Sequence, residues 1–75
     1  MTDKTLDARG LNCPLPILKT KKALAELPVG GALEVLTTDP GSMADFPAFA
    51  RQTGHELVLS EQSAGQFRYV IRRGA

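Results

Sequence analysis

Two prolines a single residue apart, Pro14 and Pro16, fix where a helix can begin in this chain. Proline has no backbone N–H, so it is tolerated in a first helical turn, where those groups have no intrahelical partner. Placing Cys13 at the N-cap puts Pro14 at the first helical position and Pro16 at the third, and neither removes a hydrogen bond. A cap at Asn12 would move Pro16 to the fourth position, where an N–H is needed. Proline also drives its predecessor out of the α region, which suits a cap at Cys13 and strains the turn at Leu15. Beyond the prolines, Ile17, Thr20, Leu24 and Leu27 recur on one side, with Lys19, Lys22 and Glu26 opposite. The spacing predicts a helix from Pro14 to Leu27, stopped by Pro28 and Gly30-Gly31.

The rest of the chain alternates between strand and helix signals. Thr5 to Arg9 alternates apolar and polar residues, the period of a half-buried strand, and Gly10 ends it. Ala32 to Thr38 is rich in apolar and β-branched residues and suits a central strand. Asp39-Pro40-Gly41 is a turn, with Asp39 or Ser42 available as a cap for a second helix. Pro47 places the regular part of that helix from about Asp45 to Gly54, with Met43, Phe46, Phe49 and Ala50 read as core. Glu56 to Ser63 and Gln66 to Arg73 read as two strands joined by a tight hairpin at Ala64-Gly65. The predicted fold class is a two-layer α/β sandwich of order β-α-β-α-β-β. It has a four-stranded mixed sheet with two short helices on one face.

Size and composition narrow the function classes. The 75 residues are read as one domain, 1–75, ordered from about 5 to 74. No apolar run reaches the roughly 18 residues of a membrane helix and no signal-peptide pattern opens the chain, so a cytoplasmic protein with no membrane partner is expected. One cysteine cannot form an internal disulfide, and with a single histidine it cannot build a zinc site, so neither metal nor cofactor is expected. A net charge of +1 argues against a non-specific nucleic-acid binder.

Cys13 is the strongly nucleophilic side chain that remains. A lone cysteine is often a small buried hydrophobe. Here the proline pair sets it at the start of a helix, beyond the carboxyl end of a strand, where α/β sheets tend to bind ligands. The helix dipole favours an anion there and lowers the thiol pKa below its usual value of about 8.5. Arg9 is a further candidate for stabilising the thiolate.

Asn12-Cys13-Pro14-Leu15-Pro16 resembles the Cys-Pro-x-Pro signature of the TusA/SirA family of small sulfur-carrier proteins. Asp7, Gly10-Leu11, Asp39-Pro40, Asp45-Phe46-Pro47, His55-Glu56-Leu57 and Arg68 to Arg72 extend the resemblance from about Leu6 to Gly74. The resemblance implies a sulfurtransferase in which Cys13 accepts sulfane sulfur as a persulfide. The donor would be a cysteine desulfurase or rhodanese-type protein. The acceptor would be a cysteine of another protein, such as a DsrE-like relay member. The pathways implied are tRNA 2-thiouridine synthesis, molybdenum cofactor assembly or sulfur oxidation. One departure is Leu15, where the thiouridine branch typically has Glu; an exposed Leu15 beside the thiol is expected, bearing on partner choice.

The chemistry suits one cysteine, since the other reacting groups arrive on partner proteins. A dithiol oxidoreductase would want a resolving cysteine. A ubiquitin-like thiocarboxylate carrier would want a terminal Gly-Gly, against the Arg73-Gly74-Ala75 expected to close this chain. Asn12, Pro14, Leu15 and Pro16 are read as support for the helix start. Leu15, Lys19, Lys21 and Lys22 are read as a docking surface, with Lys21 favoured at the edge of the apolar stripe; a merely solvated helix face is the alternative for the lysines. The competing function is a non-catalytic binding or regulatory module using the Lys19/Lys21/Lys22 face; a thiol redox sensor is a third. A monomer without direct nucleic-acid contact is expected. His55 and Asp39 are read as structural, and Arg72 and Arg73 as guards of an edge strand.

Overall fold

The structure, a computed structural model, describes residues 2–12 and 14–74; Cys13, the predicted N-cap and nucleophile, lies outside them. Four strands and two helices alternate as expected: β1 Lys4–Ala8, α1 Leu15–Ala25, β2 Ala32–Thr37, α2 Ser42–Thr53, β3 Glu56–Ser63 and β4 Gln66–Arg72. The sheet order is β1-β2-β4-β3, with β1 parallel to β2 and β4 antiparallel to both its neighbours. Strands β2 and β3 therefore run parallel without touching, because β4 is inserted between them.

Period-2 alternation selects the face each strand buries. Leu33, Val35 and Thr37 of β2 and Phe67, Tyr69 and Ile71 of β4 are buried. All of these but Thr37 form one core with Ala23 and Leu24 of α1 and Phe46 and Phe49 of α2, so both helices cover the same face. Tyr69 and Phe46 stack with ring centroids 4.4 Å apart, an arrangement worth about 0.5–1.5 kcal/mol beyond area burial. The Tyr69 hydroxyl and the Ser42 hydroxyl share a buried hydrogen bond of 2.8 Å, which seats the start of α2 on the sheet.

Three sequence expectations are corrected here. Helix α2 begins at Ser42, three residues ahead of the predicted Asp45, and carries Pro47 inside it. The Asp39 carboxylate starts that turn by accepting from Gly41 N–H at 3.1 Å, and Asp45 N–H then bonds to the Gly41 carbonyl at 3.0 Å. Burial of Phe46 and Phe49 offsets the bond that Pro47 cannot make. Met43, read as core, is 55% exposed, because Ser42 rather than Met43 faces the sheet at the start of α2. Finally, Arg72 and Arg73 do not guard an edge, since β4 lies between β2 and β3. Arg72 instead pairs with Glu56 on the true edge strand β3, and the Arg73 guanidinium donates to the Ala25 and Leu27 carbonyls at the end of α1.

The hairpin at Ala64-Gly65 has positive φ at both residues, 51° and 77°, as a primed turn requires. Gly54 closes α2 in the left-handed region at φ 77°. Among the described residues, no helix is long and apolar enough to cross a membrane.

Candidate functional site

Parallel strands β1 and β2 end side by side, and the chain leaves each of them into the start of a helix. Gly10, at φ 81°, turns the chain away from β1. Its N–H donates to the Thr38 hydroxyl at 2.9 Å, so the loop after β1 is fastened to the loop after β2. Leu11 N–H returns to the Ala8 carbonyl at 3.3 Å. The motif thus enters α1 from a tethered loop at the carboxyl ends of the strands, a usual location for ligand sites in α/β sheets.

The start of α1 differs by one residue from the sequence expectation. Pro14 is the N-cap, with φ −98° and ψ 13°, and Leu15 is the first helical residue. The Pro14 carbonyl accepts the helical bond from Leu18 N–H at 3.1 Å, while Leu15 N–H closes a turn onto the Asn12 carbonyl at 2.9 Å. Pro16 then falls at the second position, so its missing N–H is still not missed. Among the described residues no side chain caps this helix, and no acidic residue stands in its first turn.

The flanking side chains divide cleanly. Asn12, Pro14 and Leu15 are exposed, Leu15 by 45%, as expected for a residue pointing away from the Ile17 stripe. Pro16 is buried, and its carbonyl accepts from the buried Thr20 hydroxyl at 2.7 Å. Arg9 is held by Asp7: its Nε and a terminal nitrogen each donate to that carboxylate at 2.9 Å, and its own N–H adds a third bond at 3.1 Å. These hydrogen bonds pull the Asp7 carboxyl down to about 2. Asp7 and Arg9 form a closed clamp at the end of β1; the Asp-x-Arg spacing in the sequence was its signal.

All three lysines of α1 are exposed. Lys19 and Lys22 line a cleft between α1 and β1 together with Lys4, Leu6, Ala23 and Glu26. Lys21, favoured by the sequence reading, is not among its lining residues. Lys4, which sequence reasoning passed over, bonds to Glu26 across the cleft. That contact joins the start of β1 to the end of α1 and could not be read from residues so far apart.

His55 and Asp39 hold structural positions, as expected. The His55 Nδ1 accepts from Gly74 N–H at 3.1 Å and its ring lies 5.8 Å from that of Phe49. Burial, with the nearby Arg73 charge, lowers the His55 pKa below its ordinary value.

A small two-layer sandwich with a Cys-Pro-x-Pro segment leading from its first strand into its first helix defines a class, and comparison gives the family. The sequence model described as sulfurtransferase TusA matches residues 4–73. The chain is 54% identical to a sulfur carrier protein TusA of Allochromatium vinosum over 95% of its length and 93% of that protein's. It is 51% identical to a putative sulfur carrier protein of Neisseria meningitidis serogroup A, covering 96% of this chain and 97% of that one. A crystal structure of a SirA-like protein from Desulfitobacterium hafniense superposes with a TM-score of 0.81 at 34% identity, covering 96% and 99% of the two chains. The chain belongs to the TusA family.

Proposed function

We propose that this chain is a sulfur carrier that holds sulfane sulfur as a persulfide on Cys13. It takes the sulfur from a cysteine desulfurase or rhodanese-type donor and delivers it to a cysteine of an acceptor protein. The observation that carries this reading is the Asn12-Cys13-Pro14-Leu15-Pro16 segment at the start of α1 in a chain of the TusA family.

The chemistry is thiolate exchange. The Cys13 thiolate attacks the terminal sulfur of the donor persulfide. A new sulfur–sulfur bond forms on Cys13 as the old one breaks, and the donor leaves as thiolate. The second transfer repeats the step, with the acceptor thiolate attacking the sulfur on Cys13. Neither transfer needs an external oxidant or reductant. Leu15 offers an apolar contact to partners, and Lys19, Lys21 and Lys22 offer positive charge to an acidic partner surface.

Incubation with a cysteine desulfurase and cysteine is expected to add the mass of one sulfur to the chain, removable by reductant and missing from Cys13→Ser. Equal gain by Cys13→Ser would refute the assignment. A Cys13→Ser chain that keeps full cellular function, while charge reversal of the three lysines abolishes it, would favour a binding module instead.

A further inference from the structure

We infer that the outer edge of β1, with the lysine-lined cleft beside it, receives an extended acidic segment of a partner protein by strand addition. The inference rests on reading this chain as one member of a protein relay, and names what one partner brings to it.

The two edges of the sheet are not equivalent. β3 carries a register break between Leu57 and Leu59, a bulge that spoils its outer edge as a template. β1 pairs with β2 in an unbroken register from Lys4 to Ala8 and, among the described residues, has no strand on its other side. It contains neither proline nor glycine, and Lys4 at its start is drawn aside to Glu26. Of the two edges, β1 is the one left regular enough to pair.

The cleft next to that edge has the wrong size for a cofactor and the right chemistry for a peptide. At about 140 Å³ it is well below the roughly 300–1,000 Å³ of small-molecule sites. Leu6 and Ala23 supply apolar lining, while Lys4, Lys19 and Lys22 outnumber the single carboxylate of Glu26. That carboxylate is committed to Lys4, which together with the weaker field of Lys22 lowers its pKa. Lys19 has no carboxylate within ion-pairing distance among the described residues, and Lys22 has only this weaker field.

The spacing also matches. Lys19 and Lys22, three residues apart on a helix, are neighbours at about 5–6 Å. Alternate side chains of a strand, about 7 Å apart, fall on one side. Two acidic residues at alternate positions of an added strand can therefore meet both lysines, while the residues between them turn away. The strand β1 runs from the Lys4–Glu26 contact towards Gly10 and the motif, so a segment laid along it leads to the start of α1. The exposed Leu15 stands at that end of the helix.

The test uses the native reduced chain, labelled with nitrogen-15, titrated at low salt with an eight-residue peptide of alternating glutamate and valine. The expected result is shifts confined to Lys4–Ala8 and the Lys19–Lys22 turn, with slower amide exchange on the outer edge of β1. Lys19→Glu combined with Lys22→Glu is expected to weaken binding about tenfold, and Lys21→Glu less than about twofold. Circular dichroism establishes that these exposed-site variants stay folded. Shifts on the bare sheet face or on α2, binding indifferent to the double reversal, or an oligo-uridine strand shifting these residues where the peptide does not, would each overturn the inference. No sulfur chemistry enters the experiment, so its outcome is separate from that of persulfide formation.

Discussion

The backbone N–H of Gly10 donates to the Thr38 hydroxyl at 2.9 Å, although the two lie 28 residues apart in sequence. This bond fastens the loop carrying Asn12 to the end of the adjacent parallel strand, and so limits how far the motif can drift from the sheet. Thr38→Val keeps the β-branched shape and removes the acceptor. Exchange of the Gly10 amide should quicken, stability should fall by about 0.5–1.5 kcal/mol, and sulfur loading should slow in a chain that is still folded. Unchanged exchange at Gly10 would show that the tether is not maintained in solution.

The Ser42–Tyr69 pair makes a sharper thermodynamic prediction. Both side chains are buried, at 1% and 0% exposure, so removing one partner strands a hydroxyl away from water. Ser42→Ala should cost about 1–3 kcal/mol. The double variant with Tyr69→Phe removes both polar groups and should recover most of that loss. A double-mutant cycle by urea denaturation measures the coupling; simple additivity would contradict the shared bond.

Leu15 is 45% exposed in the first helical turn. Leu15→Glu should shift stability by no more than about 0.5 kcal/mol, because the side chain is outside the core and an acid suits a helix start. It should nevertheless change which acceptor takes the sulfur, because the residue lies two positions from Cys13 in the motif. A large fall in melting temperature would mean that Leu15 packs in the interior.

His55 gives a pH dependence. Its folded pKa lies below the ordinary 6.5, from burial first and from the Arg73 charge second. The protonated form is thus disfavoured in the fold, and protonation would also remove the Nδ1 acceptor used by Gly74. The contribution to stability is complete above the unfolded value of 6.5 and is lost as pH falls through the folded pKa. Nuclear magnetic resonance titration of the imidazole, with urea melts between pH 5 and 8, should show stability rising with pH across this window. In His55→Gln the rise should flatten.

Much of this molecule was legible because its signals are local. The alternation of Thr5 to Arg9, the Ala64-Gly65 turn and the Ile17-Thr20-Leu24 stripe each name their element without tertiary information. The Pro14/Pro16 pair located the start of α1 within one residue. What escaped the sequence depends on contacts made after folding. Pro47 argued for a later start to α2, yet the Asp39–Gly41 turn and the burial of Phe46 and Phe49 hold it inside the helix. Arg72 and Arg73 were misread because strand order, not strand pattern, decides which strand is an edge. That Lys19 and Lys22, and not Lys21, line the cleft depended on the position of β1 beside α1. Along the motif, the exposure of Leu15 followed from the sequence, while the Gly10–Thr38 tether required the two loops to be brought together.

The claim that sulfur rides on one thiol is tested most directly by a chase. The chain is loaded with sulfur-35 from labelled cysteine and a desulfurase, separated from the donor, and mixed with an acceptor protein bearing a free cysteine. Label should leave the chain as it appears on the acceptor, and alkylation of Cys13 before loading should prevent both events. Label that loads and moves equally well through the alkylated chain would contradict the account.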